Sequence, residues 1–213
     1  MLPAGEPKFR RRKADRPDEI LQAALDVFAH KGFAAARLDD IAARAGVSKG
    51  ALYLYFATKE DLFRAVVEQS LAPNLAFIQA VAAQPRPFAE LARNVATLLP
   101  ALAERLPIAA MARMVIGEAG NFPELAKVWH DRLVGPIVGT LAGAIAAAQA
   151  RGEIRPGDPR AYALSLASAM LIGLIWNETF APGGAPPFDV PALARQHVET
   201  VLAGMLTDPG AAS

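Results

Sequence analysis

The chain has 213 residues, 53% of them hydrophobic and 20% charged, with a formal net charge of +1 and no Cys. That is enough chain for one or two domains with a sizeable core, and too apolar for a disordered protein. The missing thiols exclude a disulfide-stapled scaffold, Cys-based zinc or iron–sulfur ligation and a thiol nucleophile, and fit a reducing cytoplasm.

The charge is unevenly spread. Residues 1–70 hold 12 Lys and Arg against 10 Asp and Glu, and residues 71–213 hold 10 against 11. Within a basic tail over residues 1–16, the stretch from Lys8 to Arg16 sets Lys8, Arg10, Arg11, Arg12, Lys13 and Arg16 against only Asp15. Such a tail neutralises phosphates on nucleic acid or at a membrane surface, or is simply solvated. No apolar stretch follows it, so the expectation is a protein that stays in the cytoplasm.

From Pro17 onward the apolar spacings are helical and none alternates like a strand. Pro17 suits a first helical turn, Asp18 and Glu19 complement its positive end, and Ile20, Ala23, Ala24, Val27 and Phe28 form one face. Gly32 stops this helix. A second short helix spans Leu38 to Ala45, with Leu38, Ile41, Ala42 and Ala45 inward, and ends at Gly46. Ser48 caps a third, in which Leu52 and Phe56 point inward. Thr58 to Asp61 has capping-box spacing, and Leu62, Phe63, Val66, Val67 and Leu71 give a fourth helix a broad apolar face, running to about Ala83. Pro85 and Pro87 interrupt the pattern. Beyond them helices are expected near 88–104, 108–118, 122–150, 159–180 and 189–206. The uncharged stretches 133–149 and 161–177 fall short of the roughly 20 apolar residues that span a bilayer and read as buried helices, with no membrane partner. The fold class is therefore all-α.

Residues 38–56 have the outline of a helix-turn-helix. Its second helix exposes Lys49, Gly50, Ala51, Tyr53, Leu54 and Tyr55 around the inward Leu52 and Phe56. Two Tyr and a Leu waste apolar surface unless they meet something, and the DNA major groove accepts such a helix. Ordinary half-buried packing is the competing reading for the tyrosines, and a solvated side chain for Lys49. Catalytic and metal constellations are weak: His30, His130 and His197 lie far apart, the one i, i+4 pairing with a carboxylate is that of Asp26 with His30, and no cofactor is implied. Asp26 and His30 read as polar groups on the outside of the first helix.

At this point the sequence resembles a known family. The stretch from Ile20 to Phe63 is similar to the DNA-binding domain of TetR-family transcriptional regulators, through Phe28, Gly32, Asp40 to Ala42, Ala45 to Ser48, Gly50, Leu52, Tyr53, Phe56, Lys59 and Leu62. The segment from Arg113 to Trp129 resembles effector domains of part of that family. The resemblance implies a helix-turn-helix DNA-binding domain over 17–63 and a ligand-binding and dimerisation body over 64–213. It also implies that Arg37, Ser48, Lys49, Gly50, Ala51, Tyr53, Leu54, Tyr55 and Lys59 meet double-stranded DNA, Lys59 through its amide and ammonium at a phosphate. Three departures stand out. The Thr usual before the second helix is replaced by Ala36 and Arg37, position 51 is Ala and position 55 is Tyr, and Leu54 offers an apolar contact such as a thymine methyl.

For the body, the resemblance implies a cavity for a small-molecule effector. Met111, Met114, Phe122, Trp129, Met170 and Trp176 are the large apolar candidates to line it, with ordinary core packing as the competing reading of such a stripe, and Asn177, Glu118 and Arg113 are polar groups that orient a ligand or pair with one another. The last two helices would pair across a two-fold axis, with Ala163, Ala167, Ala169 and Gly173 allowing close approach and His197 and Val201 beside them; packing within the subunit's own core is the alternative. The expected protein is a homodimeric, ligand-responsive transcriptional regulator, a repressor, and not an enzyme. The rivals are a helical small-molecule carrier or adaptor without sequence-specific DNA binding, and a membrane-surface protein using the basic tail.

Overall fold

A computed structural model of the chain describes residues 16–71, 76, 79, 80, 82, 86–103 and 106–207. The basic tail before Arg16, and most of the expected extension of the fourth helix to Ala83, lie outside them. The described elements are α1 (Arg16–Lys31), α2 (Leu38–Arg44), α3 (Lys49–Tyr53), α4 (Lys59–Val66), α5 (Phe88–Ala103), α6 (Ile108–Glu118), α7 (Pro123–Ala150), α8 (Pro159–Thr179) and α9 (Val190–Met205). No strand occurs among the described residues, only an isolated bridge between Ile154 and Leu206. The protein is all-α, with an N-terminal helix-turn-helix unit and a C-terminal helical body.

Local signals place the helix ends. The Ser48 hydroxyl accepts the Ala51 N–H at 3.2 Å, and Thr58 accepts the Asp61 N–H at 3.0 Å while its own hydroxyl donates to the Asp61 carboxylate. Asp158 and Asp189 cap α8 and α9, each with Pro in the first turn. The turn between α2 and α3 closes when the Gly46 N–H reaches the Ala43 carbonyl and the Val47 N–H the Ala42 carbonyl, which requires Gly46 at φ +67°. α4 continues into a π-helical turn over Val67–Leu71, and α7 contains another over His130–Val134. The two turns pack together, joined by Arg132 to Glu68 at 2.9 Å.

Two buried cores organise the chain. The first does not stop at the DNA-binding unit: Ile20, Phe28, Ile41, Leu52 and Phe63 share it with Met111, Met114 and Val115 of α6 and with Leu125 and Trp129 of α7. The second joins α5, α7, α8 and α9 through Phe88, Leu91, Ile145, Ala163, Val198 and Leu202.

One expectation needs correction. α7 and α8 are long and apolar enough to cross a membrane by length and composition, with mean hydropathy 1.6 and 1.3. α7 feeds both cores, but α8 is not a buried helix: only Ala163 and Gly173 are buried in it, and Leu164 and Ile172 stand 62% and 60% exposed. Among the described residues, none covers Leu164 and Ile172 on that face.

Candidate nucleic-acid interface and effector cavity

The DNA-facing candidates gather on one surface. Leu52 is fully buried and pins α3 to α1 and α2, so the rest of this short helix turns outward. Tyr53, Leu54 and Tyr55 are 45%, 85% and 42% exposed, and Gly50 adds no bulk beside them. Ala51 is half-buried and donates its N–H to the Ser48 cap, which ties that hydroxyl to the helix start. Lys49 is exposed and pairs with Asp39 of α2 at 2.8 Å, its ammonium 5.9 Å from the centre of the Tyr53 ring. The Asp39 carboxylate, as hydrogen-bond acceptor first and as charge second, holds the Lys49 ammonium above the ordinary lysine range. Arg37 is exposed at the start of α2 and provides no side-chain cap, as expected from the loss of Thr there. Asp26 and His30 are tied into the surface of α1. Asp26 takes the Arg44 guanidinium at 2.5 Å, and His30 meets the Asp26 carbonyl through Nδ1.

Lys59 departs from expectation. Its ammonium turns inward, donating to the carbonyls of Phe33 at 2.6 Å, Ala34 at 3.2 Å and Ala36 at 3.1 Å, and sits 4.4 Å from the centre of the Phe33 ring. Three donors on three carbonyls use up its capacity. A phosphate arriving at this helix start meets backbone amides, not that ammonium.

The body holds a partly open cavity of about 230 Å³ between α5, α6, α7, α8 and α9. Its lining is almost wholly apolar, including Leu91, Val95, Ile108, Leu133, Leu141 and Leu171, with Trp129 and Met170 among them. Ser168 is its hydroxyl-bearing lining residue, and that hydroxyl already donates to the Ser165 carbonyl at 2.9 Å. The other side chains expected around a ligand lie elsewhere. Met111 and Met114 are buried in the first core, and Phe122 packs on it with its ring 5.1 Å from that of Phe33. The Trp176 indole donates to the Pro186 carbonyl and stacks near Phe180 and Phe188, while Asn177 exchanges two hydrogen bonds with the Phe188 backbone. Trp176 and Asn177 fasten the loop after α8. Helical spacing marks these residues as apolar or embedded, but not whether each enters a core, the cavity or a loop contact.

The residues expected at a partner also separate. A Cβ on Gly173 would stand 2.8 Å from Leu193 Cδ2 of the same chain, so this glycine lets α8 approach its own α9. His197 Nε2 contacts the Ser165 carbonyl at 2.7 Å, again within the chain, and Val201 packs against the second core. Ala169 is half-buried on α8. Glu118 is the polar residue whose partners were not foreseeable: its two oxygens accept the N–H groups of Phe33 and Ala34, 85 and 84 residues away in sequence.

Comparison with known proteins adds lineage to this geometry. A family model described as bacterial regulatory proteins of the tetR family matches residues 20–66, and one for the C-terminal domain of AefR-like transcriptional repressors matches residues 89–206. The chain is 32% identical to the HTH-type transcriptional regulator RutR of Escherichia coli (strain K12) over 183 residues, 82% of this chain and 79% of RutR. Against the HTH-type transcriptional regulator YfiR of Bacillus subtilis (strain 168) it is 40% identical over 70 residues; the match spans about a third of that protein, at 34%. A TetR-family regulator from Mesorhizobium loti superposes with TM-score 0.72 at 26% identity, covering 92% of this chain and 99% of that one. FadR from Bacillus subtilis, solved with stearoyl-CoA, superposes with TM-score 0.71 at 19% identity over 88% and 98%, a likeness of fold.

Proposed function

Since this chain belongs to the TetR family of transcriptional regulators, we propose that it works as a homodimeric repressor that occupies a near-palindromic operator and leaves it when a small apolar or amphipathic molecule binds. Regulators of this family are not enzymes, and cytoplasmic action on DNA is the setting of the proposal.

The observation that carries the reading is the exposed row Tyr53, Leu54 and Tyr55 on a short helix held by a buried Leu52 behind a tight turn at Gly46. Apolar and phenolic surface of that kind is stabilised against base edges and sugars in a major groove, while Lys49 exchanges Asp39 for a phosphate. The uncovered face of α8, with Leu164 and Ile172 exposed, supports a second copy as its cover. The cavity supports an uncharged effector, because its lining offers no free polar group to replace the hydration of an ion. FadR of Bacillus subtilis was solved with an acyl-CoA. For this chain the cavity favours the apolar portion of any such amphiphile, with a polar head left outside.

Selection of bound duplexes from a random DNA pool tests the reading. The expected winners carry an inverted repeat whose half-site centres lie about one helical turn apart, and binding falls steeply with salt. Enrichment of no sequence favours the carrier or adaptor alternative.

A further inference from the structure

The first core runs from the DNA-binding unit into the body, but apolar contact is non-directional and does not by itself set an angle between the two. One polar contact at this joint is directional. Glu118, the last residue of α6, receives the Phe33 N–H on Oε1 at 2.8 Å and the Ala34 N–H on Oε2 at 2.7 Å. The two amides follow Gly32, whose φ of +77° turns successive N–H groups to one side and makes a concavity for an anion. A Cβ on Gly32 would lie 2.7 Å from Glu118 Oε1, so the close approach also needs glycine. The carbonyl side of the same segment is held by the opposite charge, the Lys59 ammonium on Phe33, Ala34 and Ala36. Its aromatic ring sits between Phe28, Phe63 and Phe122. Leu38 opens α2 two residues after Ala36, so whatever fixes this segment fixes the root of the helix-turn-helix.

We infer that Glu118 is a positioning residue for operator recognition: its carboxylate, opposed by Lys59 across the Phe33–Ala36 segment, sets the angle at which the recognition helix leaves the body. In a dimer that angle decides the distance between two recognition helices, and so the half-site spacing that is accepted. α6 also lines the cavity with Ile108 and Ala112, so one helix joins the cavity wall to the carboxylate at its far end. The inference rests on the dimeric DNA-binding reading above.

Glu118→Gln tests it. Glutamine has the same shape, but its amide has one acceptor oxygen, and its NH₂ meets the second N–H donor with another donor. The parent and E118Q proteins are each used to select duplexes from a random pool. The expected parent motif has one half-site spacing; E118Q keeps the half-site and spreads the spacing, and binds the parent's best duplex about tenfold more weakly. Hydrogen exchange of the variant is expected to lose protection at the Phe33 and Ala34 amides while α1 and α2 keep theirs. A destabilised but unhinged protein would lower thermal stability without spreading the spacing. Identical spacing and affinity for both proteins, or unchanged protection of those two amides, overturns the clamp. Failure of the parent itself to select a two-fold motif overturns the DNA reading beneath it, and the clamp falls with it.

Discussion

At the scale of single residues, the side chains that face outward from α3 carry the proposed recognition, and those that face inward carry the fold. Tyr53 is 45% exposed, whereas Leu52 beside it is fully buried. Tyr53→Ala should therefore weaken binding to a selected duplex roughly tenfold, about 1.4 kcal/mol, with thermal unfolding almost unchanged. Gel shift and melting curves on the same preparation check both halves. Lys59 teaches the reverse lesson. A lysine at a helix start beside a DNA-binding turn reads as a phosphate contact, yet its ammonium is spent on the carbonyls of Phe33, Ala34 and Ala36. No local pattern carries that information, because the carbonyls come from a loop 23 to 26 residues earlier in the chain.

At the scale of elements, helix ends were legible because their signals are local: Ser48 and Thr58 cap where their side chains can reach the next turn, and Gly46 supplies the positive φ the turn demands. The faces of the long helices were less legible. α8 is apolar on several sides, and periodicity does not say which side meets α9 and which stays uncovered. Gly173 faces Leu193 and Ile172 faces out. Gly173→Glu is thus expected to damage the subunit itself through overpacking, by about 1–3 kcal/mol or more. Ile172→Glu should leave the subunit folded and give monomers in sedimentation, since dimerisation would bury an unpaired charge. A folded I172E dimer would move the interface elsewhere.

Acid sensitivity also belongs to this scale. Glu153 accepts the Phe88 N–H at the start of α5 at 2.8 Å and takes the Arg151 guanidinium at 2.5 Å. Arg151 first and that amide second hold its carboxyl below the usual glutamate range. A carboxyl depressed in the folded state stabilises the protein above its unfolded pKa, and the benefit is lost as pH falls through the folded value. The melting temperature of the parent should therefore converge toward that of Glu153→Gln as the pH is taken below the unfolded glutamate value of about 4.3. A constant difference across that fall in pH would show that the ion pair has no linkage to folding.

At the scale of the whole molecule, two cores and one cavity divide the large apolar side chains. Met111, Met114 and Phe122 serve the joint with the DNA-binding unit, and Trp129 and Met170 line the cavity. The sequence marks all five as large and apolar and the resemblance offered all five to a cavity, but their destinations depend on how α5 to α9 stack. The division makes the two tryptophans unequal reporters. An apolar effector should change emission in the parent and in Trp176→Phe, and leave emission unchanged in Trp129→Phe, whose remaining Trp176 lies in the loop contacts after α8.

On the proposed reading, two copies of α3 meet two halves of one operator. Hydroxyl-radical footprinting of the intact protein on a selected duplex tests it most directly. Two protected patches on one face of the duplex, related by a two-fold axis and about 10 base pairs apart, are the predicted result. A single patch, or protection that ignores sequence, would contradict it.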